Sequence, residues 1–315
     1  MELTREQRDL LPTEDDIAFF RDHGYFVSGK IFSDGEIEEA VDGVERFYAG
    51  ERDFCLPSSI KAFEGWKPGD GEGMRFNDYV SLQCGPLFEL VRHPLIGMIA
   101  ARLNGSSCIR LWHDQLIYKP VDLAGSHTSV GWHHDLAYWQ TCTSTKMLTC
   151  WIPLHDCDER IGPLTVVDGS HRWPHAQIAP GSAGVSTDSA DWSEDTLRGF
   201  HRCDGRDALP DIGPDGRPVV RVPLLLKQGQ VSFHQCRTIH GSGPNRSDRP
   251  RLSLSVHLQD GENRYRAVRA TDGGLVWHRN DMLCRTRDGQ PDYTDPDFCP
   301  VLWQEPARLP LAQRR

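Results

Sequence analysis

The chain has 315 residues, a quarter of them charged, and a formal net charge of −10. It is long enough to bury a large core and too acidic overall to suit nucleic acid or an anionic membrane surface. Its ten cysteines form no CxxC pair and no dense pattern, and the first residues, Met1-Glu2-Leu3-Thr4-Arg5-Glu6, lack the apolar run of a signal peptide. No stretch approaches the roughly 20 apolar residues of a membrane span, so reduced thiols in a cytoplasmic protein are expected.

Thr13 opens a predicted helix that runs through Asp16, Phe19 and Phe20 to His23 and stops at Gly24. The apolar run Tyr25-Phe26-Val27 follows. Ser33 and Glu36 form a capping box before a helix whose stripe is Ile37, Val41, Val44, Phe47 and Tyr48, with Gly50 as its stop. Residues 51–77 have the breaker density of a loop, either plain surface or a lid over a pocket. A third helix is expected over Pro86–Leu103, divided at His93-Pro94 and closed by Gly105.

The texture then changes to strands. They are expected at 109–119, 146–154, 163–167, 219–226, 231–236 and 252–258, with turns at 168–170 and 227–230. Residues 171–218 are too long for an ordinary connection and are expected as an excursion from the core. The tail 261–315 is polar and Pro-rich, with Phe298, Val301, Leu302 and Trp303 as anchors. Helices first and strands afterwards indicate an α+β, mainly β fold: a sandwich or barrel over 106–260 with a helical flank over 1–105. No linker divides the chain, so one domain over 1–315 is expected.

Two segments are chemically dense. Gly131–Trp139 contains His133 and Asp135, the only His-x-Asp in the sequence. On a strand, residues i and i+2 share a face, so both could reach one metal ion. Phe233–Arg251 carries His240 before a Gly-Ser-Gly turn and, eleven residues later, Arg251. A histidine at a strand end and an arginine on the return strand come near one pocket. His234 competes with His240 as a third ligand; the turn and the step to Arg251 both attach to His240.

Trp132-His133-His134-Asp135, His240-Gly-Ser-Gly and Arg251 resemble the phytanoyl-CoA dioxygenase family of iron(II)- and 2-oxoglutarate-dependent oxygenases. Trp151-Ile-Pro-Leu-His-Asp and Gly162-Pro-Leu-Thr-Val-Val-Asp-Gly-Ser-His171 also match that family's middle, and the resemblance runs from about residue 15 to about 260. It implies a double-stranded β-helix (jelly roll, cupin-like) core. It implies that His133, Asp135 and His240 hold Fe(II), and that Arg251, helped by Ser242, holds the distal carboxylate of 2-oxoglutarate. Oxygen is the second cosubstrate, and succinate and CO2 leave. His134 departs from the glutamine common at that place. Asp135 argues for hydroxylation or another oxidation, because halogenating relatives carry a small residue there.

Two imidazoles and a carboxylate suit iron(II) and leave positions open for cosubstrates, and the planar arginine fork suits a carboxylate. The remaining histidines, His134, His155, His171, His234 and His257, are expected in packing or hydrogen-bonding roles. Trp151 faces either the core or the pocket. Gln115 and Lys119 share a strand face: a surface glutamine and a snorkelling lysine, or contacts to substrate or cosubstrate. The leading expectation is a dioxygenase that hydroxylates a small metabolite or natural-product intermediate, with neither nucleic acid nor membrane as partner. A cupin-like metal or small-molecule binder without turnover is the alternative. A zinc hydrolase lacks its His-Glu-x-x-His.

Overall fold

The first three helices start at hydroxyl caps in this computed structural model, which describes residues 3–57, 65–123, 128–173, 209, 211–269 and 274–306. Thr4 caps α1 (Arg5–Asp9) and Thr13 caps α2 (Glu14–His23). The Thr13 hydroxyl accepts from the Asp16 amide at 3.2 Å, and the Asp16 carboxylate accepts from the Thr13 amide at 2.8 Å. Gly24 ends α2 at φ 82°, where any Cβ would lie 2.3 Å from His171 Nδ1 and a side chain is disfavoured in any case. The Ser33–Glu36 box opens α3 (Asp34–Tyr48), which buries Ile37, Ala40, Val44 and Phe47.

The helix expected over Pro86–Leu103 is two helices, α4 (Gly85–Val91) and α5 (Pro94–Asn104). The break falls at His93, as Pro94 requires, since His93 is pushed out of the helical region to ψ 128°. The His93 ring then caps α5. Gly105 closes α5 in the left-handed region.

The strands are β1 (Tyr25–Lys30), β2 (Arg75–Asp78), β3 (Cys108–Lys119), β4 (Val130–His133), β5 (Leu148–Pro153), β6 (Thr165–Val167), β7 (Arg221–Pro223), β8 (Gln230–Gln235), β9 (His240–Ser242) and β10 (Arg251–Asp260). The tail adds the pair β11 (Val268–Arg269) and β12 (Leu275–Val276), the helix α6 (Arg279–Leu283), the pair β13 (Thr286–Arg287) and β14 (Gln290–Pro291), and β15 (Val301–Gln304). A seven-stranded antiparallel sheet runs β1-β8-β5-β10-β3-β15, with β2 also on β3; a four-stranded sheet runs β4-β9-β6-β7.

Side-chain alternation divides the larger sheet into two chemistries. Cys150, Ile152, Val231, Phe233, Leu254 and Val256 face the helices and join Ile37, Leu87 and Ile96 in the main core. The opposite face carries polar rows set by strand register. His234, Thr149, His257 and His113 are successive partners across β8, β5, β10 and β3. Ser232, Trp151, Ser255, Gln115 and Asp78 form the next row, and Arg251 pairs with Lys119 at the edge. This face meets the smaller sheet, where Trp151 packs in one cluster with Val166, Leu224 and Leu226.

Several expectations change. Of the strand expected at 219–226, only Arg221–Pro223 pairs; Pro223 has no amide to extend the ladder. The loop 51–77 ends in β2, whose Arg-Phe-Asn-Asp sequence has little strand propensity and is held by pairing with β3. In the tail, Leu302 and Trp303 pack on the main core and Phe298 on smaller clusters, but Val301 is exposed. Residues 58–64, 174–208 and 210, which include most of the expected excursion over 171–218 and part of the suggested lid, lie outside the described residues. Among the described residues the cysteines are free thiols, and no helix is long and apolar enough to cross a membrane.

Leu254 sits fully buried on a central strand. Leu254→Ala is expected to cost about 2–5 kcal/mol, read as a lower urea midpoint at unchanged slope. Val301→Ala, on an exposed edge position, should stay within about 0.5 kcal/mol.

Candidate active site

Register brings the two dense segments together. His133 at the end of β4 is the cross-strand partner of His240 at the start of β9, with ring centroids 4.2 Å apart. Each ring is oriented by the backbone two residues earlier. His133 Nδ1 lies 2.8 Å from Gly131 O, and His240 Nδ1 lies 3.0 Å from Thr238 O. A carbonyl accepts only, so each Nδ1 carries the proton and each Nε2 keeps its lone pair.

Asp135 reaches the same point by a route that alternation did not foresee. The strand stops at His133, and Asp135 opens a short 3-10 turn, Asp135–Ala137. The Leu136 amide donates to Cys236 O at 2.9 Å and pins that turn. The Asp135 Oδ1 atom then lies 3.9 Å from His133 Nε2 and 3.6 Å from His240 Nε2. One donor atom from each of the three residues falls within 4.8 Å of the others, a set able to hold a metal ion.

The second oxygen of Asp135 is held separately. Oδ2 accepts from Thr149 Oγ1 at 2.5 Å and lies 3.3 Å from His234 Nε2. Having donated its one proton, the Thr149 hydroxyl accepts from His257 Nδ1 at 2.8 Å. Burial works to raise the Asp135 carboxyl, but His240, His234 and His257 together hold it well below the ordinary carboxylate range. Burial also lowers His133 and takes His240 well below the usual imidazole value. Neutral imidazoles and an ionised carboxylate are the protonation states a divalent cation requires, and the two-nitrogen, one-oxygen set fits iron(II).

At the other end of the cavity Arg251 is almost fully buried. Its guanidinium donates to Gly162 O at 2.5 Å and lies 5.6 Å from the Trp151 ring centroid. Burial lowers it to about 10, so it remains a cation at neutral pH. Lys119, its partner on β3, is fully buried, which corrects the snorkelling expectation: strand register turns the stem inward, away from any path to water. Its ammonium donates to Ser242 Oγ and Gly243 O, both at 2.6 Å. Burial first, and then Arg251, pull Lys119 well below the usual lysine value. Lys119 stands behind Ser242 and does not line the cavity. Gln115 and Trp151 do line it, so Gln115 is no surface residue.

The cavity between the sheets has a volume of about 300 Å³. Its far wall comes from β2, β3 and the start of α6, through Asp78, His113, Gln115, His278 and Arg279. Neither Asp78 nor Arg279 carried a sequence signal, since a four-residue strand and a tail helix meet only in the folded chain. His113 and His257 could have been found: each is one alternation step from a residue of the polar face, Gln115 and Ser255. His257, expected in a hydrogen-bonding role, has that role inside the cavity. His134 faces away from it. His155 accepts the Leu252 amide at 3.0 Å, and His171 contacts Arg21 O at 2.9 Å.

The family model for phytanoyl-CoA dioxygenase matches residues 20–253. Rat peroxisomal phytanoyl-CoA dioxygenase is 24% identical over 257 residues, 80% of this chain and 70% of the relative. Ectoine dioxygenase of Bordetella bronchiseptica is 26% identical over 262 residues, 79% and 76% of the two chains. Among solved structures, the non-heme alpha ketoglutarate dependent carbocyclase SnoK from nogalamycin biosynthesis superposes with a TM-score of 0.63 at 21% identity, covering 92% of this chain and 96% of that one. EctD from S. alaskensis, with 2-oxoglutarate and 5-hydroxyectoine, gives 0.61 at 21% identity over 92% and 88%.

Thr149→Val keeps the branched shape and removes the hydroxyl that holds Asp135 Oδ2. Affinity for a divalent metal is expected to fall about 10- to 100-fold, read by titrating apoprotein with cobalt(II). His134→Ala should leave that affinity unchanged.

Proposed function

The chain belongs to the phytanoyl-CoA dioxygenase family, and we propose that this 2-oxoglutarate-dependent dioxygenase hydroxylates a small organic metabolite or natural-product intermediate in the cavity between its two sheets. His133 Nε2, His240 Nε2 and Asp135 Oδ1 would hold the iron(II). Arg251 and Ser242 would hold the distal carboxylate of 2-oxoglutarate. Bound there, iron(II) with 2-oxoglutarate and oxygen supplies a two-electron oxidant, and 2-oxoglutarate leaves as succinate and carbon dioxide. The two sheets are read as the two faces of a double-stranded β-helix, within one domain that includes the helical flank and the tail.

The observation that carries this reading is the buried Arg251 guanidinium at one end of a cavity that also holds the His-Asp-His set. A binding protein that uses only a metal has no need of a buried guanidinium there, because burying a cation without an anion is costly. A dicarboxylate removes that cost. The Lys119 ammonium donates to Ser242 Oγ, which leaves the serine proton free for a carboxylate oxygen. Lys119 thereby acts through Ser242 as a positioning residue.

The rest of the chain's work is orientation and exclusion of water. Thr149 fixes which oxygen of Asp135 faces the two imidazoles. The backbone carbonyls of Gly131 and Thr238 fix the rings. Trp151 covers the guanidinium of Arg251 and shields it from solvent. An aspartate at the third ligand position takes the place that a halide would need, which favours hydroxylation over halogenation.

Purified protein given iron(II) and 2-oxoglutarate without oxygen should develop a weak visible absorption band, and with oxygen and substrate it should form succinate. Arg251→Ala is expected to weaken 2-oxoglutarate by roughly thirtyfold or more, the consequence of removing one partner of a buried charge pair. Iron affinity should change by no more than about threefold, less than 1 kcal/mol. Equal losses of both would contradict the assignment.

A further inference from the structure

The wall opposite Arg251 is built from two segments far apart in sequence. Asp78 closes β2 opposite Gln115. Its Oδ1 accepts from Gln115 Nε2 at 2.8 Å and lies 3.1 Å from His113 Nε2, while its Oδ2 is ion-paired with the guanidinium of Arg279. The backbone commits both charges to this place. Tyr79, next to Asp78, is fully buried at φ 54°, a conformation unusual for a bulky residue. The Tyr79 hydroxyl donates to Asn280 Oδ1 at 2.5 Å, and Asn280 Nδ2 donates to Trp112 O at 2.5 Å. Arg279 is therefore held beside Asp78 by its chain neighbour. The wall is continuous with the metal centre: His113 stacks on His257 with centroids 5.1 Å apart, and His257 is bonded to Thr149.

Among the described residues that line the cavity the permanent charges cancel, and Lys119 lies behind Ser242, outside that lining. Among the described residues that line it, the permanently charged ones are Asp78, Asp135, Arg251 and Arg279. Burial holds the wall histidines neutral, with His113 lowered to about 4 and His278 well below its usual value. Two carboxylates offset two guanidiniums. Iron(II) and dianionic 2-oxoglutarate offset each other in turn. A substrate of net charge would enter a low-dielectric space in which the described lining residues leave no counter-ion over. A zwitterion would have to open the Asp78–Arg279 pair, whose carboxylate already has Gln115, His113 and Arg279 around it. A hydroxyl or carbonyl group can hydrogen-bond to this wall and leave the pair intact. Trp151, Trp277 and Tyr138 line the cavity and supply aromatic surface for an apolar body.

We propose that Asp78, Arg279 and Gln115 are the specificity-determining face of this cavity, and that the substrate is an uncharged molecule with an apolar ring body whose hydroxyl or carbonyl group sits on that face. This rests on the iron and 2-oxoglutarate reading above. It sets aside anionic thioesters and free amino acids as substrates.

The test uses the full chain with iron(II) and 2-oxoglutarate, without oxygen, and three probes on one two-ring skeleton: naphthalene-2-methanol, 2-naphthoate and 2-naphthylmethylammonium. Binding is read by calorimetry and by the shift of the visible band. The alcohol is expected to bind at least about tenfold tighter than either ion. Arg279→Gln leaves Asp78 unopposed and should move the preference towards the ammonium by about tenfold; Asp78→Asn should move it towards the naphthoate by a similar factor. A purely structural role would weaken all three probes alike. Gln115→Leu changes no charge and covers the case in which a charge variant fails to fold. It should weaken the alcohol and leave the ratio of the two ions unchanged. An alcohol that does not bind, ions that bind as tightly as the alcohol, or preferences unmoved in the folded variants would overturn the proposal. Loss of the visible band before any probe is added would instead overturn the iron and 2-oxoglutarate reading.

Discussion

Asp135 is a carboxylate buried among four imidazoles, and the geometry of the site follows from how its two oxygens are shared. Oδ1 looks towards His133 and His240. Oδ2 is engaged by Thr149 and faces His234 and His257. An unsatisfied buried carboxylate would take up a proton. Here the surrounding rings keep it ionised against the pull of burial. Burial lowers His133 and His240, the two rings whose Nε2 atoms face Oδ1, and so favours the neutral forms that keep lone pairs for a metal. Removing any one support changes the protonation of the others, because all share one low-dielectric space.

The larger sheet delivers these supports through register. Its helix-facing side is a conventional apolar core, and its other side is polar in rows that cross four or five strands. Each row has a function in the proposed reading. The row of His234, Thr149, His257 and His113 backs the metal ligands. The row of Trp151, Gln115 and Asp78 forms a wall for substrate. Arg251 ends the cavity at the cosubstrate side, with Lys119 behind Ser242. A slip of one residue in β10 would exchange Arg251, Ser255 and His257 for Leu252, Val256 and Leu258. The main core, which needs those apolar residues on its own side, therefore also enforces the site.

The tail takes part in this arrangement although the matched family region ends at residue 253. Asn280 docks α6 against β3 and carries Arg279 to the wall. The candidate metal centre, with Asp78 and Gln115, thus comes from segments the chain shares with its family, and Arg279 in the same wall comes from a segment beyond that match. In the proposed reading the tail adds to a wall that the family region begins, a place where a common fold can be adapted to varied substrates.

Local signals were legible in the sequence because the chemistry that makes them is local. Thr13, Ser33, Gly24, Pro94 and Gly105 mark helix ends through their own hydroxyls, missing amides or positive φ. His133, Asp135, His240 and Arg251 stand out through spacing and the family resemblance, and the fold brings the first three within reach of one ion. Alternation marked Gln115 and Lys119 as sharing a face, without saying whether that face met water. Their burial, the turn that swings Asp135 in after β4 ends, and the pairing of Asp78 with Arg279 came from tertiary structure. Each depends on which strand lies beside which, and on what covers a face. Those are long-range contacts between residues whose own propensities are silent or contrary, as the Arg-Phe-Asn-Asp sequence of β2 shows. Residue types and spacing therefore singled out the candidate metal-binding set, while packing between distant segments set the protonation and orientation around it.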